Sequence, residues 1–221
     1  MSRADELIAS RDERFAAVPR PREDFLFGSE LERYTGELAA RPDLWLDLVE
    51  HDASQRRYVE LFSDEYVTAW LICWMHDHDT GFHDHDVSWG AVAVIAGEVH
   101  EERLQALGPR REAVYSVGQT FHFSPADVHR VSHAGSEPAV TLHVYSPPLL
   151  SMGTYELDRD GLLHRRTISA DQELQPADDE AALAGALHEP SRGDTTHLRR
   201  RAEAGRRRRP GGRARSRRTR L

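Results

Sequence analysis

The chain predicts a mainly β fold, a β-barrel or double-sheet jelly roll entered through N-terminal helices. Three observations carry this. From residue 57 to residue 168 the sequence is a series of short apolar runs broken by Gly, Pro, Ser and Asp turns, the spacing of an all-β barrel or sandwich. Residues 87–95, VSWGAVAVI, are apolar almost without interruption, as expected of a strand covered on both faces. Helical patterning leads the chain over residues 1–53 and returns only as one or two turns expected over residues 181–187.

In that leading region Leu7, Ile8, Phe15 and Val18 share one face of a charged helix, and Pro19 and Pro21 end it. Ser29 is placed to cap a second helix over residues 30–40, with Glu32 three residues on in capping-box register. A third, short helix follows Pro42 and carries Leu44, Trp45, Leu48 and Val49. Strands are then expected over residues 58–62, 66–74, 87–95, 98–107, 113–117, 119–123, 129–132, 140–146, 154–157 and 163–168. The polar loop 75–81 separates the second and third of these. The expected organisation is a helical region 1–53, a barrel 54–170, an acidic segment 171–189 and a disordered basic tail 190–221.

Charge is distributed unevenly. Residues 199–221 hold 12 of the 29 basic residues and one of the 37 acids, so residues 1–198 carry a net charge of −19. No aromatic residue interleaves the tail arginines, so nucleic acid is not an expected partner and the tail reads as solvated. Cys73 is the single cysteine, which excludes an internal disulfide and suits a reducing cytoplasm. No apolar run approaches the roughly 20 residues of a membrane span, and no charged n-region followed by an apolar h-region is visible near residue 1, so a soluble cytoplasmic protein is expected. The sequence sets no oligomeric state.

Candidate chemistry begins at Gly81-Phe82-His83-Asp84-His85. On an extended segment the two histidines point the same way, so one metal ion could accept a nitrogen from each. Two further motifs fall on expected strands. One runs from Gly118 through His122 and Asp127 to His129-Arg130-Val131, and the other is Thr141-Leu142-His143-Val144-Tyr145-Ser146-Pro147-Pro148. His122 and Arg130 alternate away from the ligand face and read as structural. His76 and His78, in the loop 75–81, read as a pocket rim because no third ligand accompanies them. Cys73 reads as a buried apolar residue.

The first two motifs resemble those of the cupin superfamily, in which a His-x-His and a later lone His meet on one metal inside the barrel. The usual glutamate four or five residues after the second histidine is absent. Trp89 and Gly90 stand there, and Asp127 stands near where a glycine is usual. With Cys73-Trp74, His83-Asp84-His85, His129-Arg130-Val131 and the ending His143-Val144-Tyr145-Ser146-Pro147-Pro148, residues 40–170 look like the cysteine dioxygenase (thiol dioxygenase) family of cupins. The resemblance implies Fe(II) held by His83, His85 and His129. It implies a relay of Thr141, His143 and Tyr145 behind the metal, and a carboxylate-binding arginine at Arg57, seventeen residues before Trp74. Gly90 sits where animal enzymes carry a cysteine crosslinked to the tyrosine, so no thioether to Tyr145 is expected, as in the bacterial type. The implied partners are a small thiol and O2, with L-cysteine oxidised to its sulfinate as the leading case. A dioxygenase for another small thiol such as 3-mercaptopropionate, and a non-catalytic cupin that senses a metal or small ligand, are the alternatives.

The chemistry is coherent on its own terms. Three neutral imidazoles leave about three positions open on an octahedral metal, where the usual protein set is two histidines and a carboxylate. The ion's charge then favours a thiolate ligand. A guanidinium suits a substrate carboxylate through its bidentate fork. Thr141, His143 and Tyr145, spaced by two, share one strand face.

Overall fold

A computed structural model describes residues 16, 18, 24–105, 109–157, 163–170 and 172. The chain divides into two units, Met1–His188 and Glu189–Leu221, and all described residues belong to the first. The helix expected before Pro19, the acidic segment and the basic tail fall outside the described residues, apart from positions 16, 18 and 172.

Helix α1 (Gly28–Ala39) is followed by two 3-10 turns, Pro42–Leu44 and Leu46–Leu48, in place of the expected third helix. Among the described residues eleven strands follow: β1 (Arg57–Ser63), β2 (Thr68–Trp74), β3 (His83–Asp84), β4 (Trp89–Ala96), β5 (Glu98–Arg103), β6 (Arg111–Ser116), β7 (Thr120–Phe123), β8 (His129–Ala134), β9 (Ala139–Ser146), β10 (Ser151–Leu157) and β11 (Leu163–Ser169). They form a five-stranded sheet, β1-β2-β9-β4-β7, and a six-stranded sheet, β11-β10-β3-β8-β5-β6. Every pairing is antiparallel. The fold is therefore the mainly β, double-sheet jelly roll with an N-terminal helix that the strand spacing predicts.

Alternation along β9 explains the layering. Val140, Leu142 and Val144 pack with Leu31, Leu38 and Cys73 in a core that includes α1, whereas Tyr145 packs between the sheets with Trp74, Val92 and Phe123. Thr141, His143 and Tyr145 are thereby presented to the interior. All eight residues of β9 are buried, because α1 covers the face that would otherwise meet solvent. β4 behaves likewise, with Ala91 in the core under α1 and Val92 and Val94 between the sheets. Burial of this kind contributes roughly 25 cal/mol per Å² of apolar surface.

Helix α1 starts two residues earlier than predicted, and Ser29 does not cap it. Phe27 occupies the N-cap with no side-chain hydrogen bond. Glu32, expected in the capping box, instead crosses to β7. It accepts hydrogen bonds from Thr120 Oγ1 and from His122 Nδ1, both at 2.6 Å. Loop 75–81 is tied to β8 more firmly than a solvated rim. Asp79 pairs with Arg130, and Thr80 Oγ1 accepts from Val131 N–H at 2.9 Å. His76 stays exposed beside Asp77, while His78 is buried with Nδ1 accepting from Met75 N–H at 2.9 Å.

Burial pushes the Glu32 carboxyl up, but the hydrogen bonds from Thr120 and His122 more than offset this and hold it below the usual range. Such a carboxylate stabilises the fold above its unfolded pKa of about 4.3 and loses that contribution as pH falls through the lower folded value. In urea unfolding, Glu32→Ala is expected to cost about 1–3 kcal/mol near neutrality. The gap to wild type should shrink below about pH 4. A gap that widens on acidification would contradict this role.

Candidate metal centre and pocket

β3 is only two residues long, yet it brings the first two histidines inward. His83 pairs directly with His129 across to β8, and Asp84 faces the other way. Its carboxylate accepts from Arg165 Nε at 2.6 Å, Arg165 Nη2 at 2.7 Å and Tyr155 Oη at 2.6 Å. This clamp fixes β3 against β10 and β11. Beyond Asp84 the chain turns, with Ser88 N–H donating to the His85 carbonyl at 2.9 Å, and His85 follows His83 into the interior.

One ligand atom from each of His83, His85 and His129 lies within 4.8 Å of the others, and all three residues are buried. Among the described residues this is the one such group of three, and His76 and His78 join none. His83 Nδ1 lies 2.9 Å from the Gly81 carbonyl oxygen, which can only accept, so Nδ1 carries the proton and Nε2 the lone pair. Gly81 reaches this geometry at φ +68°, a conformation that favours glycine. His129 Nδ1–H donates to Glu101 Oε1 at 2.8 Å, which leaves Nε2 as the nitrogen that a metal would use. Nε2 of His129 and Nδ1 of His85 are buried without a hydrogen-bond partner. Burial, followed by the charges of neighbouring histidines, pushes the pKa of His83 and His85 well below the usual range, so both rings are neutral. Neutral, desolvated imidazoles with inward lone pairs are what a transition metal requires, and the site fits one.

Phe123 backs the cluster. Its ring stacks on His85 at 4.3 Å between centroids and lies 4.3 Å from His129. The position opposite is Gly90, paired with both Phe123 and Tyr145. A β-carbon on Gly90 would stand 2.1 Å from the Phe123 ring, so the absence of a side chain there makes room for that support.

The interior face of β9 carries a hydrogen-bonded chain. Trp74 Nε1–H donates to Thr141 Oγ1 at 2.8 Å. Thr141 Oγ1 lies 2.8 Å from His143 Nε2, and His143 Nδ1 lies 3.3 Å from the Tyr145 phenol. An indole can only donate. In the tautomer that protonates His143 Nδ1, Thr141 donates its O–H to His143 Nε2, His143 Nδ1–H donates to the Tyr145 oxygen, and the Tyr145 O–H is left to point into the pocket. Burial takes the His143 pKa down to about 3, with the charges of His129 and Arg56 acting the same way. Burial also pushes the Tyr145 phenol up. The chain therefore passes hydrogen bonds between neutral groups.

The arginine expected to bind a carboxylate, Arg57, does not line the cavity. Arg57 is partly exposed and donates from Nη2 to Glu50 Oε2 at 2.9 Å. It sits opposite Cys73 on β2, whose side chain packs in the core under α1. Arg56 is the arginine that lines the pocket, 7 % exposed, with its guanidinium carbon 5.3 Å from the centroid of the Trp74 ring. The cause is a register shift between Glu60 and Phe62. Continued without it, the pairing of Phe62 with Ala69 would set Arg57 opposite Trp74. The bulge moves the chain on by one residue and turns every residue on its far side to the other face. The one signal in the sequence is that a second arginine, Arg56, stands next to the first.

His83, His85, His129, Arg56, His143 and Tyr145 all line one cavity, whose empty volume is about 620 Å³ with its open mouth included. Trp70, Ile72, Leu149 and Met152 make much of the remaining wall. A small-molecule site of this kind is a largely apolar cleft with a few converging polar groups.

Residues 35–158 match the family described as Cysteine dioxygenase type I. Cysteine dioxygenase type 1 of Danio rerio is 28% identical over 152 residues, spanning 63% of this chain and 73% of that protein. The Homo sapiens protein of the same name is 29% identical over 87 residues, spanning 35% of this chain and 44% of that protein. Among solved structures, TT1209 from Thermus thermophilus superposes with a TM-score of 0.42 at 19% identity, over 47% of this chain and 93% of that one. With the matched segment running from within α1 to the end of β10 and enclosing all three histidines, the chain belongs to the cysteine dioxygenase family of the cupin superfamily.

Proposed function

We propose that the chain is an iron(II)-dependent thiol dioxygenase that converts a small thiol carboxylate, with L-cysteine as the leading case, to its sulfinate. The observation that carries this reading is the convergence of three buried histidines, a hydrogen-bonded tyrosine and a buried arginine on one cavity. The balance is RSH + O2 → RSO2H. The S–H bond is broken, both oxygen atoms end on sulfur, and no outside reductant is consumed. When bound by His83, His85 and His129, a ferrous ion supplies the place where thiol sulfur and dioxygen meet and the redox chemistry that joins them.

The protein's own groups do the rest. Arg56 binds the substrate carboxylate through its fork of donors, in an apolar setting where such a charge-assisted pair is strong. The Trp74 ring beneath it holds the guanidinium in place. Tyr145 directs a hydrogen bond toward the reacting oxygens, and Thr141 and His143 fix its orientation. Phe123, Val131, Leu149 and Met152 keep the pocket apolar and limit water. Tyr145 carries no thioether in this reading. Gly90 faces it, and the single cysteine, Cys73, packs in the core under α1.

The same site could accept another thiol carboxylate such as 3-mercaptopropionate, since Arg56 reads the carboxylate alone. The ordered Trp74–Thr141–His143–Tyr145 chain argues against a non-catalytic metal sensor, which has no need of an oriented phenol.

Iron-loaded protein should consume O2 with L-cysteine or 3-mercaptopropionate, and much less with cysteamine, which lacks a carboxylate. No uptake with any of the three would overturn the enzymatic reading. Arg56→Ala should lower kcat/KM for the preferred thiol roughly 10- to 150-fold, the equivalent of about 1.5–3 kcal/mol for a hydrogen bond to a charged group. Arg57→Ala, which touches only the exposed Glu50 pair, should stay within about twofold of wild type. The reverse ranking would return the carboxylate role to Arg57.

A further inference from the structure

Three imidazoles bring no charge to a divalent ion, and neither Trp89 nor Gly90 supplies the carboxylate that many such sites use. A carboxylate nonetheless stands one hydrogen bond behind the cluster. Glu101 on β5 is 5 % exposed, and its Oε1 accepts the His129 Nδ1–H at 2.8 Å. In the pairing of β5 with β8, Arg103 lies opposite His129 and Glu101 opposite Val131. The glutamate therefore reaches its histidine on the diagonal, two residues along.

Arg103 completes the arrangement. Its Nη2 donates to the same Glu101 oxygen at 2.7 Å and to the His122 carbonyl at 3.0 Å, and Nη1 lies 3.5 Å from Asp127. The support is asymmetric across the three histidines. His83 donates to the neutral Gly81 carbonyl, and the His85 Nδ1 has no partner. Among the described residues only His129 is backed by a charged group.

We propose that Glu101 is a positioning residue for the metal. Through His129 it lends the centre the negative charge that the three-histidine set lacks, holds Nε2 toward the ion, and sets how tightly the ion is bound. A carboxylate behind a ligating imidazole raises the basicity of the ring and fixes its tautomer. Arg103 holds the carboxylate in the orientation that His129 needs. The inference rests on the reading of His83, His85 and His129 as the metal ligands.

The test is the affinity of the full metal-free chain for zinc(II), a redox-inert probe, measured against a competing chelator. Wild type should bind about one ion per chain. Glu101→Gln, which keeps an acceptor but removes the charge, should bind roughly 10- to 100-fold more weakly, and Glu101→Asp should recover part of that loss. Equal affinities in wild type and Glu101→Gln would overturn the proposal and leave the ligand assignment standing. A Glu101→Asp chain no tighter than Glu101→Gln would overturn the role of charge. No binding by wild type would overturn both the proposal and the ligand assignment. Should the variants fail to fold, nitrogen NMR of histidine-labelled, zinc-loaded wild type decides instead. Zinc on Nε2 of His129 with an exchange-protected Nδ1–H supports the proposal, and zinc on Nδ1 overturns it.

Discussion

The interior of this barrel is organised around three buried histidines, each with one ring nitrogen within 4.8 Å of the others. Among the described residues Nδ1 of His85 and Nε2 of His129 lie out of solvent without a hydrogen-bond partner, at a cost of about 1–3 kcal/mol for each such group. Burial keeps His83 and His85 uncharged. Imidazoles gathered on a common point are unfavourable for a protein interior alone and favourable for a metal site. The rest of the inner structure can be read as what keeps those rings aimed.

That aiming is distributed among unlike partners. A carbonyl at a left-handed glycine sets His83, a buried glutamate sets His129, and an aromatic ring made possible by Gly90 backs His85. The short strand β3 could not hold its place by two residues of sheet pairing alone. The Asp84–Arg165–Tyr155 clamp on its opposite face supplies the missing constraint. Each of these supports comes from a different part of the barrel, so the centre is a property of the closed double sheet rather than of any one motif. Trp74 serves two functions at once: its N–H starts the hydrogen-bonded chain to Tyr145, and its ring lies beneath Arg56.

What is legible in the sequence follows from the range of each signal. Strand β4 can be read because burial on both faces under a helix leaves an almost unbroken apolar run. The histidine pair can be read because i and i+2 share a face on any extended segment. Arg57 faces away from the cavity because a single bulge, one residue in β1, reverses the facing of all that precedes it, and no composition marks that bulge. Glu101 escapes a local reading because its partner lies 28 residues away on a neighbouring strand, a relation that pairing register creates and local spacing does not. Glu32 reads as a cap because capping is a local rule, whereas its actual partners, Thr120 and His122, are reached only across the fold.

The central claim is that the cavity joins both atoms of one O2 to the sulfur of a small thiol. Mass spectrometry of the product formed from L-cysteine under 18O2 in ordinary water tests it most directly. The predicted product is a sulfinate carrying two 18O atoms. A product with one labelled oxygen, or a disulfide in place of a sulfinate, would contradict it.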